Sequence, residues 1–290
     1  MNQCAGVIID EQDESRKYGT PNSDLHIIVV ASDQSNSFYA SATVCQMLPR
    51  PSHGKIDLNK QNFNGINFNE GKFNRYTQLI IHEVIHLLGF SDNIYPYFIN
   101  KATGKYYSLQ EILITKQVRG LSTQFIKTPK VLKAVKELYA CEDAEGMKLE
   151  NQGTSSSVGS HWEKAIASNE IMGPSLVQGI AYITKTTIAL LDDSGFYESV
   201  NYDMAKINAG YDLGCDFFYL ACKSQTQKYD VFCSGYDSCD DFNTGYSTCI
   251  SSQYSDGCNI YQTISKSQCN NPNNSHPLQD QYSGEMELER

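Results

Sequence analysis

The stretch "LIIHEVIHLLGF", residues 79–90, places two histidines four residues apart, with a glutamate directly after the first. On a helix this spacing brings both imidazoles to one face, about 6 Å apart, so His82 and His86 could bind one metal ion. Glu83 would then lie near the open coordination position, where a carboxylate can accept a proton from water. The simpler interpretation is a buried helix with polar residues at its wet edge, because short motifs also arise by chance.

The apolar residues around the two histidines predict a long helix from about residue 73 to residue 88, since they recur at helical spacing. Gly89 should end this helix, because glycine adopts the left-handed backbone conformation without strain. The predicted core positions of the helix are Tyr76, Ile80, Val84 and Leu88, with Ile81 and Ile85 beside them.

Other elements have weaker signals. The run "LHIIVVAS", residues 25–32, predicts a buried strand, and the alternating "GKIDLN", residues 54–59, predicts a second strand near a sheet edge. Between them, "LPRPSHG", residues 48–54, reads as a loop. Further helices are expected at residues 129–140, where a proline occupies the first turn, and at residues 184–193.

Charge and composition narrow the possible functions. The chain has 290 residues, is 40% apolar and carries 23 Lys and Arg against 33 Asp and Glu, a net charge of −10. A folded protein with a negative surface is expected, which argues against nucleic acid or an anionic membrane as the main partner. No segment reaches the roughly 18 apolar residues of a transmembrane helix, so no span is predicted.

Cysteine usage points to an oxidising compartment. Seven of the ten cysteines lie at residues 215–269, at irregular spacings and without a CxxC pair, so disulfides are a better interpretation than a zinc ribbon. This segment has little apolar periodicity and should depend on covalent cross-links. An extracellular or cell-surface location is therefore predicted. Because the sequence after Met1 does not resemble a signal peptide, we expect a further segment upstream.

A catalytic zinc needs a third protein ligand. Position 92, six residues after His86, is Asp, and the next histidine along the chain is His161. The surrounding "LENQGTSSSVGSHWEKAIASNEIMGP", residues 149–174, resembles the leishmanolysin family, zinc endopeptidases of the metzincin clan. The resemblance continues through "TTIALLDDSGFYESVNYDMA" and "GCDFF" and begins near "SDLHIIVVAS", so it covers roughly residues 4–218.

The resemblance implies a role for each matching position. His82, His86 and His161 correspond to the ligands of one Zn²⁺ per chain. Glu83 corresponds to the catalytic base, and Met172 to the methionine beneath the metal. The substrates would be proteins or peptides, bound in extended form along an edge strand, for which residues 54–59 are the candidate. The alternative is a catalytically silent adhesion or binding protein on the same scaffold.

The resemblance also implies an α+β, metzincin-like catalytic fold split by an insertion. We expect an N-terminal catalytic subdomain at residues 1–90. Residues 91–214 would hold the insertion, the third ligand and the methionine turn, and residues 215–290 a disulfide-rich C-terminal module. Cys4 is expected to pair with Cys45, and Cys141 with one of the seven C-terminal cysteines.

Overall fold

The computed structural model describes residues 3–8, 22–33, 38–63, 70–154, 157–177, 179–220, 222, 228–240, 245–252 and 254–268. Helices and small sheets are mixed along the chain, in agreement with the α+β prediction. The helices are α1 (Lys60–Phe63), α2 (Glu70–Leu88), α3 (Leu109–Ile112), α4 (Pro129–Tyr139), α5 (Lys185–Asp193) and α6 (Gly214–Tyr219). The strands are β1 (Gln3–Cys4), β2 (Val7–Ile8), β3 (His26–Ser32), β4 (Ala40–Met47), β5 (Pro51–Asn59), β6 (Ile99–Asn100), β7 (Lys105–Tyr106), β8 (Leu113–Val118), β9 (Leu121–Ile126), β10 (Met147–Lys148), β11 (Ser238–Cys239), β12 (Gly245–Ser251) and β13 (Asn259–Gln268).

The N-terminal sheet has the order β3-β5-β4. Strand β5 pairs in parallel with β3 and antiparallel with β4. Its predicted position near an edge was therefore wrong, because strands occupy both of its sides. The predicted loop before it was also too long, since β5 begins at Pro51. Strand β4 has no clear sequence signal: "ASATVCQM" mixes small, polar and apolar residues without regular alternation.

Helix α2 packs against β4 and β5. Gly54 of β5 makes this close approach possible, because a Cβ at that position would lie 2.6 Å from Cδ2 of the fully buried Leu87. The helix buries Leu79, Glu83 and Leu87, which recur at every fourth residue, together with Ile85.

The predicted core stripe of α2 was therefore only partly right. Tyr76, Ile80, Val84 and Leu88 are half-buried, and Ile81 is 37% exposed. The apolar content of the helix is high on more than one face, so periodicity alone did not identify the face that the sheet covers.

After α2 the chain forms a second small sheet and two longer helices. Strands β8 and β9 make a hairpin whose turn residues Arg119 and Gly120 both have positive φ, and β10 pairs with β9. Helices α4 and α5, whose positions the sequence predicted to within a residue at each end, pack on each other. The described residues contain no helix with the length and apolar character needed to cross a membrane.

Among the described residues, four disulfides connect separate parts of the chain. The pairing of Cys4 with Cys45 is confirmed, as is the use of Cys141 as an outside partner for the C-terminal cysteines; Cys269 lies outside the described residues. The pairs are Cys4–Cys45, Cys141–Cys215, Cys222–Cys258 and Cys233–Cys249. Beyond residue 215 the chain forms the sheet β11-β12-β13, which the sequence did not predict. Phe232, Cys258 and Ile260 join the same hydrophobic cluster as Ile85 and Phe125.

Candidate metal centre

The three histidines singled out from the sequence meet at one point. His82 and His86 project from α2, and His161 arrives from the loop after β10. Their Nε2 atoms are 3.0 Å apart between His82 and His86, 3.3 Å between His86 and His161, and 3.2 Å between His161 and His82. These atoms form a compact triangle of nitrogens that could share one ion.

The opposite ring nitrogen of each histidine contacts a backbone carbonyl. Nδ1 of His82 lies 2.6 Å from the Ile171 oxygen, and Nδ1 of His86 lies 2.6 Å from that of Phe90. Nδ1 of His161 lies 2.9 Å from the Ser157 oxygen. A carbonyl oxygen only accepts hydrogen bonds, so each Nδ1 must donate its hydrogen. Each Nε2 of the neutral ring then keeps a lone pair.

This tautomer makes the triangle a fitting metal site. Three lone pairs that face one another at 3.0–3.3 Å have no hydrogen to share and repel, unless a cation lies between them. A tetrahedral zinc with Zn–N bonds of about 2.0–2.1 Å would hold its nitrogens about 3.3 Å apart. The carbonyl bonds are the kind of outer contact that orients histidine ligands.

The surroundings also favour the neutral rings that metal binding requires. Desolvation lowers the pKa of His82, and the Ile171 carbonyl opposes this effect. Burial and the neighbouring histidines lower the pKa of His86 well below its usual value. Burial, followed by the proximity of His82, lowers the pKa of His161 to about 3. At neutral pH the lone pairs are therefore available without loss of a proton.

The end of α2 helps to hold His86. The Gly89 N–H donates to the His86 carbonyl, and the Phe90 N–H donates to the Ile85 carbonyl. Gly89 has φ of +148°, so the predicted glycine stop is confirmed, and the two bonds form a Schellman motif. The turn brings the Phe90 carbonyl back to Nδ1 of His86. The glycine thus orients a site residue as well as ending the helix.

Residues that the sequence analysis did not assign hold the loop of His161. The Ser160 hydroxyl donates to Oδ1 of Asp92 at 3.1 Å, and the Tyr95 hydroxyl donates to the Gly159 carbonyl at 3.0 Å. Asp92 lies six residues after His86, the position at which a third histidine ligand was sought in the sequence. It contacts the neighbour of His161 instead. Only the tertiary structure identifies this role, since the two residues are far apart along the chain.

Met172 is fully buried, and hydrogen bonds hold the backbone of the segment around it. The preceding residue, Ile171, offers its carbonyl to His82, and the Met172 carbonyl accepts from the Trp162 N–H at 2.9 Å. The Glu170 carboxylate, also fully buried, accepts from the N–H groups of Met172 and Thr184. Burial raises the pKa of Glu170 to about 7, against the effect of these hydrogen bonds.

Thr187 completes this network from α5. Its hydroxyl donates to Oε1 of Glu170 and accepts from Nε1–H of Trp162 at 2.8 Å. Neither Glu170 nor Thr187 has a separate signal in the sequence, although both lie in segments that carry the family resemblance.

Substituting valine for Thr187 should lower the free energy of unfolding by about 1–3 kcal/mol, because it preserves shape but leaves the buried indole N–H of Trp162 without a partner. It also removes one of the hydrogen bonds to Oε1 of Glu170, which keeps those from Thr184. Urea unfolding of the zinc-free protein measures this effect. Thr115→Val, on the exposed face of β8, is the matched control and should change stability by less than about 0.5 kcal/mol. Equal effects of both substitutions would contradict the proposed importance of the network.

Glu83 lies on the buried stripe of α2 and is 4% exposed. Desolvation raises its pKa to about 8. A cation at the three nitrogens would oppose this shift, since a nearby positive charge favours the carboxylate.

His26 and His53 stack on each other in β3 and β5, away from the triangle, with ring centroids 5.6 Å apart.

A sequence model of the leishmanolysin family matches residues 2–284 of the chain. The chain belongs to the leishmanolysin family. A leishmanolysin-like peptidase of Caenorhabditis briggsae is 29% identical over 241 residues, covering 70% of this chain and 35% of that protein. A leishmanolysin homolog of Crithidia fasciculata is 29% identical over 226 residues, covering 74% and 31% respectively. Leishmanolysin of Leishmania major is 29% identical over 227 residues, covering 74% and 34%. The chain thus spans about a third of the length of these leishmanolysin relatives.

Proposed function

We propose that this leishmanolysin-family protein is a zinc-dependent endopeptidase that cleaves proteins or peptides. The observation that carries the proposal is the triangle of Nε2 lone pairs from His82, His86 and His161, each oriented by a carbonyl at Nδ1. These three residues would hold one Zn²⁺, and the family membership supports the same assignment. When bound, zinc supplies a Lewis acid that polarises the peptide carbonyl and lowers the pKa of water.

Glu83 is the proposed general base. It follows the first histidine ligand on α2, so its carboxylate can accept the proton of the attacking water and pass it to the leaving amine. Its buried environment raises its pKa above that of an exposed glutamate. A carboxyl group that gains and loses a proton near neutral pH suits both halves of this transfer. Met172 is proposed to line the floor beneath the ion.

The substrate is proposed to bind in extended form by adding a strand to the N-terminal sheet. Strand β5, which the sequence favoured for this role, has β3 on one side and β4 on the other and offers no open edge. Strand β4 replaces it as the candidate, because it flanks β5 and also packs against α2, the helix of His82 and His86.

The four disulfides are compatible with a location outside the cell or at its surface, which we propose for this protein. The catalytically silent binding protein is not favoured. A protein that only binds its partner would not need three converging histidines together with a buried glutamate directly after the first of them.

Removal and return of zinc tests the proposed activity. The purified protein should contain about one zinc per chain, and dialysis against a chelator should abolish cleavage of an unstructured protein substrate such as casein. Stoichiometric zinc should restore it, because the ion supplies both the Lewis acid and the acidified water. Metal analysis and cleavage assays are run on the same samples. Unchanged cleavage by zinc-free protein would exclude this mechanism, whereas bound zinc without cleavage would favour the binding protein.

A further inference from the structure

The C-terminal part of the chain touches the loop that delivers His161. Gly153 in this loop has φ of +91°, and a Cβ at that position would lie 2.3 Å from Cε1 of Tyr254. The Asp256 N–H donates to Oε1 of Gln152 at 3.1 Å. Residues 254–258 therefore pack closely against the first half of the ligand loop.

A buried ion pair anchors this contact. Nη1 of Arg119 lies 3.4 Å from Oδ2 of Asp256, and both side chains are only 3% exposed. The same guanidinium donates to the carbonyls of Phe217 and Leu220 at 3.0 and 2.7 Å. Arg119 is the first turn residue of the β8–β9 hairpin, so one side chain joins the hairpin, the end of α6 and the C-terminal segment. The Cys222–Cys258 disulfide fixes the segment two residues after Asp256.

A series of hydrogen bonds leads from this contact to His161. The Gln152 N–H donates to Oε1 of Glu150, and the Glu150 N–H donates to the His161 carbonyl at 2.8 Å. The Gly159 N–H in turn donates to the Glu150 carbonyl at 3.0 Å. The two ends of the loop are thus held together at Glu150, and the side of the loop next to Gln152 rests on Asp256.

Several buried carboxylates lie around this contact, so replacement of Arg119 should destabilise the fold. Glu150, Glu163 and Asp256 each bury one carboxylate oxygen that has no hydrogen-bond partner among the described residues. Three cations lie near these carboxylates: Arg119, Lys148 and Lys164. The Lys148 ammonium group also donates to the Phe218 carbonyl. Loss of the Arg119 guanidinium would remove positive charge that stabilises these buried carboxylates. A buried charge that loses its partner strongly lowers the stability of the fold.

We propose that Arg119 and Asp256 are positioning residues for the metal centre: they clamp the C-terminal segment onto the loop of His161 and thereby keep its Nε2 in place. The clamp is defined as Arg119, Asp256 and Gln152. It rests on the proposed function, because its effect is expressed through zinc affinity. It couples the cysteine-rich end of the chain to the third ligand.

Zinc affinity of clamp variants tests the proposal. Asp256→Asn should weaken zinc binding by several-fold to about 10-fold, because Asp256 acts on His161 through Gln152 and Glu150, and loss of a direct partner of a metal ligand typically costs about 10- to 100-fold. Competition with a chromophoric chelator measures the affinity, and the visible spectrum of the Co²⁺-loaded protein reports the ligand geometry. Asp216→Asn is the matched control, because Asp216 forms an exposed ion pair with Lys228. It should change neither quantity.

Two further variants keep the test decisive. Asp256→Glu should restore affinity at least in part, since it retains the charge opposite Arg119. If Asp256→Asn does not fold, Gln152→Ala, which cuts only the contact with the Asp256 N–H, should weaken zinc binding by several-fold. Wild-type affinity in folded Asp256→Asn or Gln152→Ala would overturn the clamp while leaving the zinc site intact. Absence of zinc binding by the wild-type protein would instead refute the proposed function.

Discussion

Replacing Glu83 with glutamine is expected to leave zinc bound and to reduce turnover about 10²- to 10⁴-fold, the usual contribution of a general base. Glutamine has nearly the same shape and fits between Leu79 and Leu87 on the buried stripe of α2. It cannot accept the proton of the attacking water, so the chemical step should slow while the ligand triangle stays in place. The kcat for a fluorogenic peptide and the zinc content of the same preparation measure the two effects.

Glu137→Gln is the matched control for this substitution. Glu137 lies on α4, forms ion pairs with Lys133 and Lys185, and is 44% exposed. Its replacement should leave both zinc content and turnover close to wild type. If Glu83→Gln cleaved peptides at a rate near that of the wild type, another group would have to move the proton.

Replacing His161 with alanine is expected to weaken zinc binding by more than the roughly 10- to 100-fold that follows from loss of an outer hydrogen-bond partner. One of three nitrogens is removed, and the lone pairs of His82 and His86 alone make an incomplete site. Zinc per chain after dialysis against a competing chelator is the measurement. Activity should fall together with the bound zinc.

His53→Ala serves as the control, because His53 stacks on His26 in the N-terminal sheet and lies outside the triangle. It should retain one zinc per chain. Full zinc stoichiometry and affinity in His161→Ala would show that His161 is not a ligand, and the third position would have to be sought elsewhere.

Elements with a strong local signal were predicted well. Helix α2 was expected from the apolar spacing around His82 and His86 and ends at Gly89 as predicted. Strand β3 and helices α4 and α5 were also found where apolar runs or a proline at the first turn indicated them. The expectation that β3 is buried was wrong, because its residues are half-buried or exposed and Val29 is 59% exposed. These elements follow from interactions between residues close in sequence, which a single sequence contains.

Features that depend on distant partners were not predictable in the same way. Nothing in "GKIDLN" indicates that β4 and β3 lie on its two sides, so its place at the centre of the sheet was missed. The buried stripe of α2 depends on which face the sheet covers, and Leu79 and Leu87 were therefore not identified. Strand β12 and its neighbours in the C-terminal sheet lack a clear alternating pattern and were also missed.

The sequence by itself determined the chemical identity of the candidate site: two histidines and a glutamate at helical spacing, a glycine to end the helix, and a third histidine in a second motif. It could do so because residue type and local spacing decide which atoms can act as ligand or base. Only the tertiary structure decided that the three Nε2 atoms meet, that each Nδ1 donates to a carbonyl, and that Asp92 and Asp256 support the loop of His161. The physical reason is that these contacts join segments far apart in the chain, and packing of the whole core sets their distances.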